Sequence, residues 1–196
     1  MNPTPLILAS ASPRRAQLLQ SAGLEFLVLP AQVFELQPDH LTPHEAVQIN
    51  AYRKARVVAK QHPDAIVIGA DTEVVLDRRV FGKPSNLEEA QQMLASLQGQ
   101  THEVITGVCL IHLRAHWQSL FAASTLVTFR PLNAAQIRDY LARTQPLDKA
   151  GAYAIQEEGH LIVEALDGSF TNVVGLPMAR LLAELTTLSA DEPVHE

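Results

Sequence analysis

The chain has 196 residues, 47% of them hydrophobic, with a formal net charge of −6. That length suits one domain or two small subdomains sharing a core, and the hydrophobic share excludes a disordered chain. The acidic balance speaks against a nucleic-acid binder, so any polyanion bound here has to be held by a local cationic pocket.

A single cysteine, Cys109, cannot form an intrachain disulfide and fits a reducing cytoplasm. No signal peptide or membrane span is legible, the apolar run 6–8 being too short, so the expectation is a soluble cytoplasmic protein with no membrane partner.

Residues 5–9 read as a first strand, followed by a helix from Pro13 to Ala22 that Gly23 stops. Ser12 suits the N-cap and Pro13 the first helical position. A strand running straight into a helix N-terminus presents free amides and the positive end of the dipole to an anion. Arg14 and Arg15 have the wrong sign for that end of a helix. Two readings are open for them: an anion offsets the cost, or they are solvated surface arginines. Residues 25–29 form a second strand candidate, leading to a loop with Glu35. Thr42-Pro43-His44-Glu45 has capping-box spacing and opens a helix to about Lys60. Its mostly small, apolar face includes Asn50, Ala51, Ala55 and Val58, with Lys54 on or beside it.

The stretch 66–76, closing through Asp77-Arg78-Arg79 into Val80-Phe81-Gly82-Lys83, is the centre of the chain. It reads as a β-branched strand carrying a carboxylate, then a tight turn and a short return strand. Asp71 and Glu73 project to one face by strand alternation. Two adjacent carboxylates need a cation or a shared proton, and a hard divalent ion takes one or two of them with waters and phosphates. The alternative has Asp71 and Thr72 in a turn with Glu73 in solvent. Further on, Ser85-Asn86-Leu87-Glu88 has capping-box spacing for a helix closed by Gly99. Residues 102–112 and 119–130 read as long strands joined by a loop at 114–118. Cys109 lies in the apolar run 108–111, as a buried inert thiol rather than a nucleophile. His112 and His116 are four apart, a zinc spacing on a helix, but they flank a predicted loop with no acidic partner motif. A helix over 133–143 is capped by Asn133, and residues 146–156 fit neither strand nor helix. Residues 161–166 and 170–174 suggest a hairpin across Asp167-Gly168. Gly175-Leu176-Pro177 opens a last helix to about Leu188, with a mobile polar tail over 189–196. The order describes one α/β domain, 1–188, with a mixed sheet.

No dinucleotide fingerprint, P-loop or nucleophile elbow is present. What remains is a set of carboxylates (Glu35, Asp71, Glu73), a set of bases (Arg14, Arg15, Lys54, Lys83, Lys149) and a strand-to-helix anion site. That inventory suits metal-assisted chemistry on a phosphate ester, with cations holding the non-reacting phosphates.

Six motifs add to this: Ser10-Ala-Ser-Pro-Arg-Arg15, Gly69-Ala-Asp-Thr72, Gly82-Lys-Pro84, Gly99-Gln-Thr-His102 with Thr106-Gly107, Asp148 through Gln156, and Asn172-Val-Val-Gly-Leu-Pro177. In this order, over nearly the whole chain, they resemble the Maf (septum formation protein) family. The resemblance implies an elongated α/β protein of two lobes around a central cleft, related in fold to inosine triphosphate pyrophosphatase and usually a homodimer. It implies hydrolysis of a nucleoside triphosphate to the monophosphate and pyrophosphate with Mg²⁺ or Mn²⁺. Carried onto this chain, Asp71 becomes the catalytic carboxylate, and Ser10, Arg15, Lys54 and Lys83 hold the triphosphate. Glu35 joins Asp71 at the metal, Glu73 is a relocated metal ligand on one reading, and Arg14, Thr72 and Gln156 set base preference. The segments around Gln156 and Asn172 look like the branch acting on dTTP and UTP. The alternatives are activity on 7-methyl-GTP or other noncanonical purine triphosphates, or a non-catalytic nucleotide-binding regulator of septum formation. Three positions depart from the family pattern: Phe34 and Arg53 stand where acidic residues are frequent, and Glu73 where an aliphatic is common.

Overall fold

The computed structural model describes residues 4–36 and 40–191, which form seven strands and six helices. The strands are β1 (Leu6–Leu8), β2 (Leu27–Val28), β3 (Ile66–Leu76), β4 (Arg79–Phe81), β5 (Thr101–His112), β6 (Trp117–Phe129) and β7 (Val163–Asp167). The helices are α1 (Pro13–Ser21), α2 (Pro43–Ala59), α3 (Leu87–Leu97), α4 (Ala134–Arg143), α5 (Phe170–Val174) and α6 (Met178–Asp191). All strands join one mixed sheet, ordered β2-β1-β3-β5-β6-β7, so the expected α/β architecture holds.

β3 runs unbroken through Asp71, which excludes the reading of Asp71 and Thr72 as a turn. One edge of β3 pairs antiparallel with β5 from Ile66 to Val75. The other edge meets β1 only at residues 66–68 and β4 only at residues 74–76. Because Val74 and Val75 pair with both β4 and β5, β4 has to lie on the β1 side. Among the described residues, the stretch 69–73 therefore has no strand along that edge, and this gap is where the site forms.

The core divides around the gap. On one face α2 lies across the sheet, with Ala51, Ala55 and Val58 packed on Ile7, Val67, Cys109 and Ile111. On the opposite face, one core (Leu8, Leu19, Ile68, Val108, Leu110, Leu181) fills the α1 and α6 end. A second core (Phe81, Leu94, Leu97, Phe129, Tyr140, Ile162) fills the α3 and α4 end. These make two lobes, with the long strands β3 and β5 running through both. Two glycines let α2 sit this close. A Cβ on Gly69 would lie 2.2 Å from the Ala51 carbonyl oxygen, and one on Gly107 would lie 2.4 Å from that of Val47. Contacts so short leave no room for any side chain.

Several local expectations change. Residues 170–174 form helix α5, not the second strand of a hairpin with 161–166. Ser169 caps it by accepting from the Asn172 N–H, and Gly175, at φ 128°, ends it. Its apolar residues Phe170, Val173 and Val174 fall at i, i+3 and i+4, which is helical spacing, and the cap fixes the start. The box at α3 is shifted by one residue: Asn86 caps the Glu89 N–H while Glu89 accepts from the Ser85 N–H. Ser12 occupies the N-cap of α1 without a side-chain cap bond. The last helix continues to Asp191, three residues into the expected tail, and 192–196 lie outside the described residues. The box at Thr42 forms as expected, Asn133 caps its helix as expected and also completes a box with Gln136, and residues 146–156 fold as short 3-10 turns and loop. No helix among the described residues is long and apolar enough to cross a membrane.

Candidate active site

The gap beside β3 opens into a cleft of about 460 Å³, within the usual range for small-molecule sites. All ten residues singled out from the sequence line it: Ser10, Arg14, Arg15, Glu35, Lys54, Asp71, Thr72, Glu73, Lys83 and Gln156. Side chains alternate along β3, so the cleft meets the odd-numbered carboxylates on the α2 face and Thr72 on the other.

On the α2 face, Asp71 is buried and both of its oxygens are engaged. Lys54 Nζ donates to Oδ1 at 2.8 Å, and Asn50 Nδ2 donates to Oδ2 at 2.9 Å. Lys54 Nζ also donates to Glu35 Oε1 at 2.6 Å and reaches the Ala70 carbonyl at 3.4 Å. Lys54 thus projects into the cleft, away from solvent. Burial pushes the half-exposed Glu35 carboxyl up. The hydrogen bond and charge of Lys54, then the charges of Lys83 and Arg15, outweigh this and hold it below the usual carboxylate range. Glu73 is buried, and its Oε2 has no hydrogen-bond partner among the described residues. Burial first, then the charges of Asp71 and Glu35, raise its pKa to about 7. The expectation of Glu73 in solvent is thereby excluded.

The Glu35 loop is tied to α2. Asn50 Oδ1 accepts from the Leu36 N–H at 2.8 Å, and its Nδ2 also donates to the Leu36 carbonyl at 3.0 Å. Arg53 donates to the Phe34 carbonyl at 2.7 Å, so two of the departures from the family pattern hold each other. Asn50 was legible only as part of the helix face. An amide on a small, apolar helical stripe was the available signal, because a buried amide needs partners.

On the opposite face Arg15 is buried, and four hydrogen bonds take up four of its five N–H donors. Nε donates to the Gly175 carbonyl at 2.9 Å, and Nη1 to Ser10 Oγ and the Ala70 carbonyl, each at 3.0 Å. Nη2 donates to Thr72 Oγ1 at 2.9 Å. Arg15 is therefore not a solvated surface arginine. Arg14, beside it, pairs with Asp148 at 2.8 Å, which supplies the anion that its place at the helix start calls for. Lys149 is buried against Asp148 and Glu157, at 2.9 and 3.2 Å. Lys83 and Gln156 are exposed in the cleft wall and make no hydrogen bond or ion pair among the described residues. Tyr153 closes the wall, its hydroxyl 2.8 Å from His102 Nε2, and burial lowers the His102 pKa to about 4. Cys109 is fully buried, its thiol pushed up to about 12 by burial, in keeping with an inert core residue.

Among the described residues, no three His, Cys, Asp or Glu side chains converge to hold a metal, which removes His112 and His116 as a zinc site. It also shows that Glu35, Asp71 and Glu73 are no ready-made cage. Asp71 and the orphaned Glu73 still fit a hard ion that draws its remaining ligands from water and phosphate.

The family model described as Maf-like protein matches residues 5–188. The dTTP/UTP pyrophosphatase of Geobacillus sp. (strain WCH70) is 47% identical over 183 residues, covering 93% of this chain and 97% of the relative. That of Pelotomaculum thermopropionicum is 48% identical over 176 residues, 90% of this chain and 92% of the relative. That of Moorella thermoacetica is 46% identical over 186 residues, 95% and 96% of the two chains. With five of the six motifs contributing to the lining of one cleft and the match running nearly end to end, the chain belongs to the Maf family.

Proposed function

We propose that the protein is a nucleoside triphosphate pyrophosphatase that cleaves dTTP and UTP to the monophosphate and pyrophosphate. The observation that carries this reading is the convergence of Asp71, Lys54, Glu35 and Lys83 on one cleft. The names of the relatives supply the substrate class.

Water attacks the α-phosphorus, the α–β anhydride bond breaks and pyrophosphate leaves with the bond electrons. Asp71 takes the proton of that water, its carboxylate held in one orientation by Lys54 and Asn50. Lys83, without a hydrogen bond or ion pair among the described residues, meets the β- and γ-phosphates, and Lys54 exchanges Glu35 for phosphate oxygens. Ser10, tied to Arg15, shapes the turn before α1 where a phosphate meets backbone amides. Asp71 and Glu73, with Glu35 nearby, would hold a divalent cation, Mg²⁺ or Mn²⁺, which would supply positive charge to the phosphates and acidify water. Arg14, Thr72 and Gln156 face the base. The reading takes the working form to be a cytoplasmic homodimer, which sedimentation of the purified chain checks.

A panel of nucleoside triphosphates, scored for pyrophosphate release with Mg²⁺ and with Mn²⁺, tests the reading. Preferred release from dTTP and UTP is expected. Preference for 7-methyl-GTP would move the protein to the purine branch, and binding without turnover would make it a regulator. Orthophosphate as the first product would reject the pyrophosphatase reading.

A further inference from the structure

Thr72 Oγ1, in the cleft wall, has two partners: Arg15 Nη2 at 2.9 Å and Thr106 Oγ1 at 3.0 Å. A guanidinium only donates, so Thr72 accepts from Arg15. Thr106 is fully buried, and its Oγ1 lies 3.0 Å from the Asn172 carbonyl oxygen, which only accepts. The one proton of the Thr106 hydroxyl therefore lies on the Asn172 side. Turned elsewhere, it would leave two buried oxygens in contact with nothing between them. With that proton committed, Thr106 can only accept from Thr72. The relay has a single sense: Arg15 N–H to Thr72, Thr72 O–H to Thr106, Thr106 O–H to the Asn172 carbonyl.

The far end of the relay is rigid. The Asn172 carbonyl also accepts from the Gly175 N–H at 3.0 Å, and the Asn172 side chain donates to the Val104 carbonyl and Thr125 Oγ1, each at 3.0 Å. Thr72, which lines the cleft, is left with no proton for a ligand and one lone pair beyond the one that Arg15 uses. Gln156, exposed in the same wall, carries both a donor and an acceptor and can turn its amide to suit either. Base choice by polarity then falls to the groups whose polarity is fixed: the Arg14 guanidinium, which only donates and is paired with Asp148, and Thr72, which only accepts.

We propose that Thr106 sets base choice by holding the Thr72 hydroxyl as an acceptor. The cleft then reads the imide N3–H of a uracil or thymine ring and refuses cytosine, whose N3 is itself an acceptor. This rests on the pyrimidine triphosphate reading and adds a positioning residue that touches no substrate. A site built around a substrate N–H discriminates strongly, because an analogue lacking it leaves a polar group unpaired.

Equilibrium binding of non-hydrolysable α,β-imido analogues of UTP, CTP and N3-methyl-UTP tests the proposal without turnover. The native chain should bind the uridine analogue at least tenfold more tightly than the other two, an order of magnitude set by one unpaired polar group. Thr106→Val removes the acceptor, frees the Thr72 proton and should narrow the uridine-to-cytidine ratio by roughly tenfold. Thr106→Ser should restore it. An unchanged ratio in Thr106→Val would overturn the proposal, as would a native chain that binds the N3-methyl analogue as tightly as its parent. Should Thr106→Val not fold, the N3-methyl comparison on the native chain decides alone. A native chain that binds neither the uridine nor the cytidine analogue overturns the pyrimidine reading, and this inference with it.

Discussion

On the α2 face of β3, Lys54 meets two carboxylates within 2.8 Å. On the opposite face Arg15, equally buried, donates four hydrogen bonds to neutral oxygens and to no carboxylate. The contrast follows from side-chain chemistry. A guanidinium is a rigid fork that can be spent as a fastener among carbonyls and hydroxyls, whereas an ammonium is a compact charge whose partners exchange readily. The α2 face therefore holds groups that can trade partners when a charged ligand arrives. The other face holds a lattice that fixes the polarity and shape of the wall. Both sit beside the same five residues of strand edge left open between β1 and β4.

The hardest break of the exchangeable face is Asp71→Asn. Turnover should fall by roughly a thousandfold, in the range expected for loss of a general base, while nucleotide affinity stays within a few-fold. Pyrophosphate release and calorimetric binding on one preparation check this, and unchanged turnover would take Asp71 out of the chemistry. The matching break on the lattice face is Arg15→Met, which keeps much of the apolar stem. It leaves Ser10, Thr72 and the Ala70 and Gly175 carbonyls without their donor, so unfolding in denaturant should show about 3 kcal/mol lost. Unaltered stability with lost nucleotide binding would instead make Arg15 a ligand residue.

How far the sequence carries toward this contrast differs between the faces. The long strands, the α2 capping box and the carboxylate and lysine positions were legible, because strand period, caps and motif spacing are local properties. Asn50 and Thr106 were not, since their roles come from partners 21 and 66 residues away. Of the two open readings of Arg15 the solvated one fails, because burial depends on Gly175 approaching from the far end of the chain. Residues 170–174 were misread for a different reason. The turn pair Asp167-Gly168 suggested a hairpin, whereas Phe170, Val173 and Val174 have helical spacing and the Ser169 cap starts the helix.

Lys83 sharpens the comparison from a third side, as the exposed lysine in the wall. Lys83→Ala should raise KM about tenfold with kcat changed little, as for loss of a binding contact present in both ground and transition states. The loss should shrink at high salt, where exposed charges are screened. A change confined to base preference would place Lys83 elsewhere in the cleft.

The smallest effect separates charge from chemistry on the α2 face, through Glu73. Its folded pKa, about 7, lies above the ordinary 4.5, so the folded chain binds more protons than the unfolded one between those values. Stability therefore falls as pH rises through that window and levels off above it. Glu73→Gln keeps the shape of the protonated acid and removes the slope. With chelator present, variant and native protein should melt within a few degrees of each other at pH 5, and the gap should widen in the variant's favour by at least ~3 °C at pH 8. Equal melting at both pH values would mean that the orphaned oxygen finds a partner in solution. Adding Mg²⁺ at pH 8 then locates the ion. If it bridges Asp71 and Glu73, the native protein gains and the gap closes, because the cation relieves the repulsion that the variant lacks. An equal gain in both proteins would seat the ion between Asp71 and Glu35, on the side that Lys54 now occupies.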